Sequence, residues 1–88
     1  MALFGADIEQ VQQLSTQLNA KASDIQSIIS QLSSAINSVS WVGPDAERFR
    51  SDWQGQHVAQ LKQVVSALQT ASQNARRNAQ EQQSASGA

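Results

Sequence analysis

A seven-residue apolar repeat runs through the first half of the chain and restricts what that half can form. Two rows of apolar residues follow each other at intervals of three or four positions. The first row is Phe4, Val11, Leu18, Ile25, Leu32 and Val39, and the second is Ile8, Ala22, Ile29 and Ile36, with Ser15 as its one polar position. This spacing predicts an amphipathic helix. Because neither Gly nor Pro interrupts residues 6–42, the helix is expected from about residue 7 to about 39, roughly 50 Å long.

The apolar stripe of this helix is wider than a coiled-coil seam. Leu14, Ile28 and Ala35 lie beside the two rows and extend them around the helix. Since a seam uses only two positions in seven, the extra width indicates a helix that contacts more than one neighbour.

A second helix is predicted from about residue 45 to about 82. Its apolar residues step by three or four positions, with Val58 and Val65 on one flank; they are Phe49, Trp53, His57, Leu61, Val64, Leu68, Ala71 and Ala75. Gly55 weakens the first turns of this helix by about 1 kcal/mol relative to Ala. The end of the chain, residues 83–88, is small and polar and is predicted to be a disordered tail.

A short turn at residues 40–44 joins the two helices. Gly43 fits the N-cap of the second helix, and Pro44 fits its first position, where no N–H is needed. A turn this short joins antiparallel neighbours, so the predicted fold is an all-α helical hairpin. Trp41 is not required by the turn, and the simplest interpretation is that it caps the end of the hairpin core.

Length and charge favour assembly with another chain. Eighty-eight residues form one domain, 1–88, which buries little surface alone, so dimerisation into a four-helix bundle is expected. The candidate residues for the hairpin or dimer core are Val11, Leu18, Ile25, Ile29, Leu32, Ile36, Leu61, Val64 and Leu68. The net charge of −1 argues against nucleic acid as a partner. Weak charge patterning favours a homodimer, and a heterodimer remains possible.

No residue set predicts catalysis or metal binding. There is no Cys, and the single His, His57, lies on the flank of the apolar stripe, where a packed or half-exposed interface residue is expected. Arg48 and Arg50, with the acidic residues around them, are interpreted as a solvated face. We therefore predict a protein that is not an enzyme, with no cofactor, no metal and no small-molecule substrate.

The turn and the start of the second helix carry a recognisable pattern. Trp41-x-Gly43, then Ala46 and Phe49, gives Trp-x-Gly-x-x-Ala-x-x-aromatic, and Trp53 follows four residues later. In its position between two long helices, this pattern resembles that of the WXG family, the ESAT-like proteins of about a hundred residues that are substrates of type VII secretion systems. The resemblance covers essentially the whole chain.

The resemblance implies a fold, a route and a partner. Family members are helical hairpins that pair antiparallel and are secreted folded, without a cleaved signal peptide, and the chain's start, MALFGADIEQ, has no signal-peptide features. In the family, the Trp-x-Gly turn lies beside a C-terminal Tyr-x-x-x-Asp/Glu motif, and the pair is implicated in recognition by the secretion ATPase. Trp41 and Gly43 match the first half. The second half is missing, because Asn78-x-x-x-Gln82 stands in its place.

Three functions follow as expectations. The first is a small secreted substrate or co-substrate of a type VII system, acting through protein–protein interaction. The second is a cytoplasmic targeting chaperone that pairs with a larger effector and lends it the Trp-x-Gly half of the signal. The third is a structural helical bundle without a role in secretion, in which Trp41 belongs to the core.

Overall fold

The chain folds into two long antiparallel arms joined by a short turn. The computed structural model describes residues 7–87. The first arm is α1, Ile8–Ser38; the second contains α2, Pro44–Asp52, a π-helical segment, Trp53–His57, and α3, Val58–Gly87. The hairpin is 66 Å long and 17 Å across, and residues 7–87 contain no strand. The predicted all-α hairpin is thereby confirmed.

The ends of the two arms follow from local hydrogen bonding and composition. Asp7 caps α1, since its side chain accepts a hydrogen bond from the backbone N–H of Gln10 at 3.0 Å. The second arm continues to Gly87, so the prediction of a disordered tail was wrong for residues 83–87. Gln83 and Ala85 are good helix formers, and no Pro or Gly intervenes before Gly87. Residue 88, and Phe4 of the first apolar row, lie outside the described residues.

The two arms meet along a row of buried, mostly small residues, here called the hairpin seam. Every seventh residue of each arm contributes to it. Its members are Ser15, Ala22 and Ile29 on α1, and Val58, Val65, Ser72 and Ala79 on α3. Small side chains allow two helices to approach closely, and the seven-residue spacing keeps the contact on one face of each helix.

Two buried serines link the arms within the seam. Ser15 Oγ donates a hydrogen bond to the Ser72 carbonyl at 2.8 Å, and Ser72 Oγ donates to the Ser15 carbonyl at 2.7 Å. The two hydroxyl oxygens are 3.1 Å apart. Ser15, which interrupts the apolar row in the sequence, is therefore a core residue. Since the arms are antiparallel, this pair sets Ala22 at the level of Val65 and Ile29 at the level of Val58.

The predicted core residues differ in how deeply the single chain buries them. Ile29 is buried. Six others are half-buried beside the seam: Val11, Leu18, Ile25, Ile36, Leu61 and Leu68. Leu32 and Val64 are 44% and 46% exposed, so neither belongs to the hairpin core.

The π-helical segment changes which residues of the second arm face α1. The N–H of Val58 donates to the carbonyl of Trp53, five residues back, so this turn holds one residue more than an α-turn. One residue rotates a helix by about 100°, which turns Val58 and Val65 toward α1 in place of His57 and Val64. The predicted stripe of the second helix was wrong here, because an unbroken α-helical period was assumed across Gly55.

The close approach of the arms predicts that the seam tolerates no larger side chain. Ala22 is fully buried, and Ala22→Leu should destabilise the hairpin by about 1–3 kcal/mol, because the added carbons must push the arms apart. Ala67→Leu is the matched control, since Ala67 is an exposed helical alanine on the other arm. Thermal melts followed by circular dichroism test this; equal melting temperatures for the two variants would contradict the seam.

Candidate functional site: the hairpin tip

The chain reverses direction in the few residues between the arms. After Ser38 the N–H of Val39 donates to the carbonyl of Ala35 at 3.2 Å, and the N–H of Trp41 donates to the carbonyl of Val39 at 2.9 Å. Gly43 is the N-cap of α2, and its carbonyl accepts from the N–H of Glu47 at 3.0 Å. Pro44 is the first residue of α2, as predicted.

The turn requires glycine at position 43 because of its backbone conformation, and not because a side chain would lack space there. Its φ is 131° and its ψ is 174°, a region that residues with a Cβ avoid. A Cβ built on Gly43 would meet nothing within 4 Å. The glycine of Trp-x-Gly therefore allows the turn to open into α2 without strain.

The tip carries a cluster of exposed apolar side chains, here called the tip patch: Val39, Trp41, Val42 and Phe49. The rings of Trp41 and Phe49 are in contact, with centroids 5.5 Å apart and planes inclined at 56°. Trp41 is 40% exposed, Phe49 49% and Val42 95%. Trp41 thus packs on Phe49 at the surface, instead of being enclosed in the core.

Two further residues of the Trp-x-Gly pattern are covered at the start of the second arm. Ala46 is fully buried. Trp53 is half-buried, and its Nε1 donates a hydrogen bond to Ser33 Oγ at 2.9 Å. The pattern therefore divides into a packing part, Ala46 and Trp53, and a surface part, Trp41 and Phe49.

Arg50 binds the end of α1 from the opposite arm. Its Nε donates to the carbonyl of Ile36 at 3.2 Å, Nη2 to that of Val39 at 3.0 Å, and Nη1 to that of Trp41 at 3.0 Å. The interpretation of Arg50 as part of a solvated face was therefore wrong. The available hint in the sequence was that the last turn of α1 has no basic residue, although its carbonyls need donors.

Other candidate residues do not form a chemical site. His57 is exposed, with its ring centroid 6.4 Å from that of Trp53. In the described part of the chain, no group of three or more His, Cys, Asp or Glu could hold a metal ion, and the one ion pair is Lys21–Asp24, at 3.7 Å. None of the helices within residues 7–87 is both long and apolar enough to cross a membrane.

The two long sides of the hairpin differ in polarity. One side, here called the lateral apolar face, has shallow grooves lined by the apolar residues Val11, Leu14, Leu18, Leu68 and Ala75, and also by Gln17, Lys21 and Glu81. The large side chains of Leu14, Ile28, Leu32 and Val64 are each more than two-fifths exposed. The other side has a groove lined mainly by Gln26, Ser30, Lys62, Ser66 and Gln69. Asn78 and Gln82 lie at the far end of the apolar face, beside Val11 and Leu14.

Comparison of the chain with protein-family models, with curated proteins and with solved structures finds no match.

Two glycines offer a matched test of the turn. Neither Gly43 nor Gly55 has an atom within 4 Å of a built Cβ, so replacement by Ala separates backbone conformation from steric space. Gly43→Ala should destabilise by about 1–3 kcal/mol, because φ is positive there. Gly55→Ala should stabilise by up to about 1 kcal/mol, because its φ is not positive and Ala favours helix. Chemical denaturation giving the same sign for both changes would contradict this account.

Proposed function

We propose that this protein is a small secreted substrate, or co-substrate, of a type VII secretion system. The observation that carries the proposal is the exposure of Trp41 at the apex of a hairpin, beside a Gly43 that the turn requires. The burial of Ala46 and the hydrogen bond of Trp53 to Ser33 on α1 support the resemblance to the WXG family, since both residues belong to the pattern and neither is free at the surface. The proposed role is protein–protein recognition, with the secretion ATPase as the partner that contacts the tip patch.

The lateral apolar face supports the dimer in this proposal. From Val11 to Leu32 on α1, and along the facing side of α3, apolar side chains remain uncovered. A face about 32 Å long and 17 Å wide covers on the order of 500 Å², which is at the low end of the area that one partner contributes to a protein interface. We propose that a second copy covers it, which gives a four-helix bundle. A WXG-type heteropartner is the alternative occupant.

The co-substrate form of the proposal concerns the second half of the family's signal. Asn78 and Gln82 stand where the family has Tyr and Asp or Glu, and they lie near the end of the second arm, far from Trp41. When two hairpins pair antiparallel, the tip of one lies beside the open end of the other, where the second arm ends. A heteropartner that carries the Tyr motif would therefore place it next to Trp41.

The dimer predicts a specific effect of charge on the lateral apolar face. Ile28 is 48% exposed, and Ile28→Glu should raise the dissociation constant at least about tenfold, because a symmetric interface would bury two charges at once. Gln26→Glu is the matched control, since it adds the same charge two residues away on the polar side. Sedimentation equilibrium gives both constants. A wild-type chain that sediments only as a 9.5 kDa monomer would refute the homodimer and leave the heteropartner.

The recognition role predicts that export and stability separate at Trp41. Trp41→Ala should keep the helices and lose less stability than Trp53→Ala, because Trp41 is 40% exposed and its ring contact adds only about 0.5–1.5 kcal/mol beyond the area it buries, while export should collapse. Trp53→Ala should lower stability by about 3 kcal/mol or more and lose export only as it unfolds. The measurement is culture-supernatant yield against thermal melt, in a host that carries the secretion system and the partner genes. Normal export of folded Trp41→Ala protein would reject the role.

A further inference from the structure

Arg50 is the one side chain of the described residues that joins the last turn of α1, the turn residues and α2. Its three hydrogen bonds go to the carbonyls of Ile36, Val39 and Trp41, which lie 14, 11 and 9 residues earlier in the chain. All three acceptors are main-chain atoms. Arg50 therefore fixes the path of the backbone from α1 to Trp41.

The chemistry of these contacts is specific to arginine. The carbonyls at the C-terminal end of a helix lack intrahelical donors and carry the negative end of the helix dipole. A guanidinium supplies several N–H groups in one rigid plane, so that three separate carbonyls can be bound at once. A lysine ammonium has the same charge but no such fork, and a neutral side chain has neither.

Arg50 lies next to Phe49, and the two neighbours act on different parts of Trp41. The Phe49 ring contacts the Trp41 ring, whereas Arg50 binds the Trp41 carbonyl. The side chain and the main chain of Trp41 are thus both held by α2, and the indole is still 40% exposed. A side chain that is exposed yet fixed loses little conformational entropy when a partner binds it.

We infer that Arg50 is a positioning residue for the tip patch, which holds Trp41 exposed in one orientation for its partner. The inference rests on the proposed function, because it assigns Arg50 to the same recognition site. Arg48 provides the contrast: it is exposed and forms no hydrogen bond or ion pair with any residue between 7 and 87.

The test uses the full-length chain with Arg50→Ala, Arg50→Lys and the control Arg48→Ala. Indole N–H signals in nitrogen-15 NMR report Trp41 and Trp53 separately, and the Trp53 indole, bound to Ser33, is the internal reference. In Arg50→Ala the heteronuclear NOE of the Trp41 indole should fall while that of Trp53 stays unchanged, and export should fall severalfold with the helices retained. Arg50→Lys should restore part of both losses, and Arg48→Ala should match the wild type.

Each outcome decides the inference. A Trp41 indole that stays as ordered as in the wild type in Arg50→Ala, or export that stays normal although Trp41 becomes mobile, overturns it. If Arg50→Ala does not fold, Arg50→Lys carries the same comparison, and a loss of order shared equally by Trp41 and Trp53 shows a general structural role and also overturns it. Normal export of folded Trp41→Ala protein rejects the proposed function itself, whereas lost export in Trp41→Ala with normal export in Arg50→Ala rejects only the role of Arg50.

Discussion

The close contact between Ser15 and Ser72 constrains the rest of the hairpin. A hydroxyl on each arm reaches the backbone carbonyl of the other, which is possible only where the two helices nearly touch. The seam members that follow the serines on each arm, Ala22 and Ala79, are accordingly small. Such a seam buries little apolar area, and stability from burial scales with that area. The large side chains of α1 are left at the side of the hairpin, which is why the uncovered face is wide and apolar.

Contacts at the tip and contacts in the seam require different rotations of the second arm about its axis. The π-helical segment supplies the rotation between them. Trp53 must face α1 at the tip, where its indole reaches Ser33. The seam, set by the Ser15–Ser72 pair, needs Val58 in the same direction, five residues after Trp53. An α-helix returns to a face after three or four residues, so one extra residue has to be accommodated. Gly55 lies in the middle of that segment, although neither its φ nor the space around it requires a glycine.

The sequence predicts the helices and the turn well, but not how the arms are phased. Regular apolar spacing and Gly43-Pro44 suffice to place the hairpin, because both are local signals. The burial of Ser15 could not be inferred from its own row, since it depends on Ser72, 57 residues away. The exposure of Val64 depends on the π-helical segment, which apolar period alone does not reveal. The role of Arg50 was missed for a different reason: its acceptors are main-chain carbonyls, which every residue has, and the lack of a basic residue in the last turn of α1 does not say which donor replaces it.

Some residues of the Trp-x-Gly pattern are explained by the fold, whereas Trp41 is not, and the pattern alone does not distinguish the two kinds. Ala46 and Trp53 have structural reasons to be where they are, because Ala46 is fully buried and Trp53 is hydrogen-bonded to α1. Gly43 would be retained in any chain that turns through this backbone conformation. Trp41 has neither reason, since the turn does not need an indole and the seam does not enclose it. Exposed aromatic surface is unfavourable in water, and the partner proposed for the tip patch would cover the indole of Trp41.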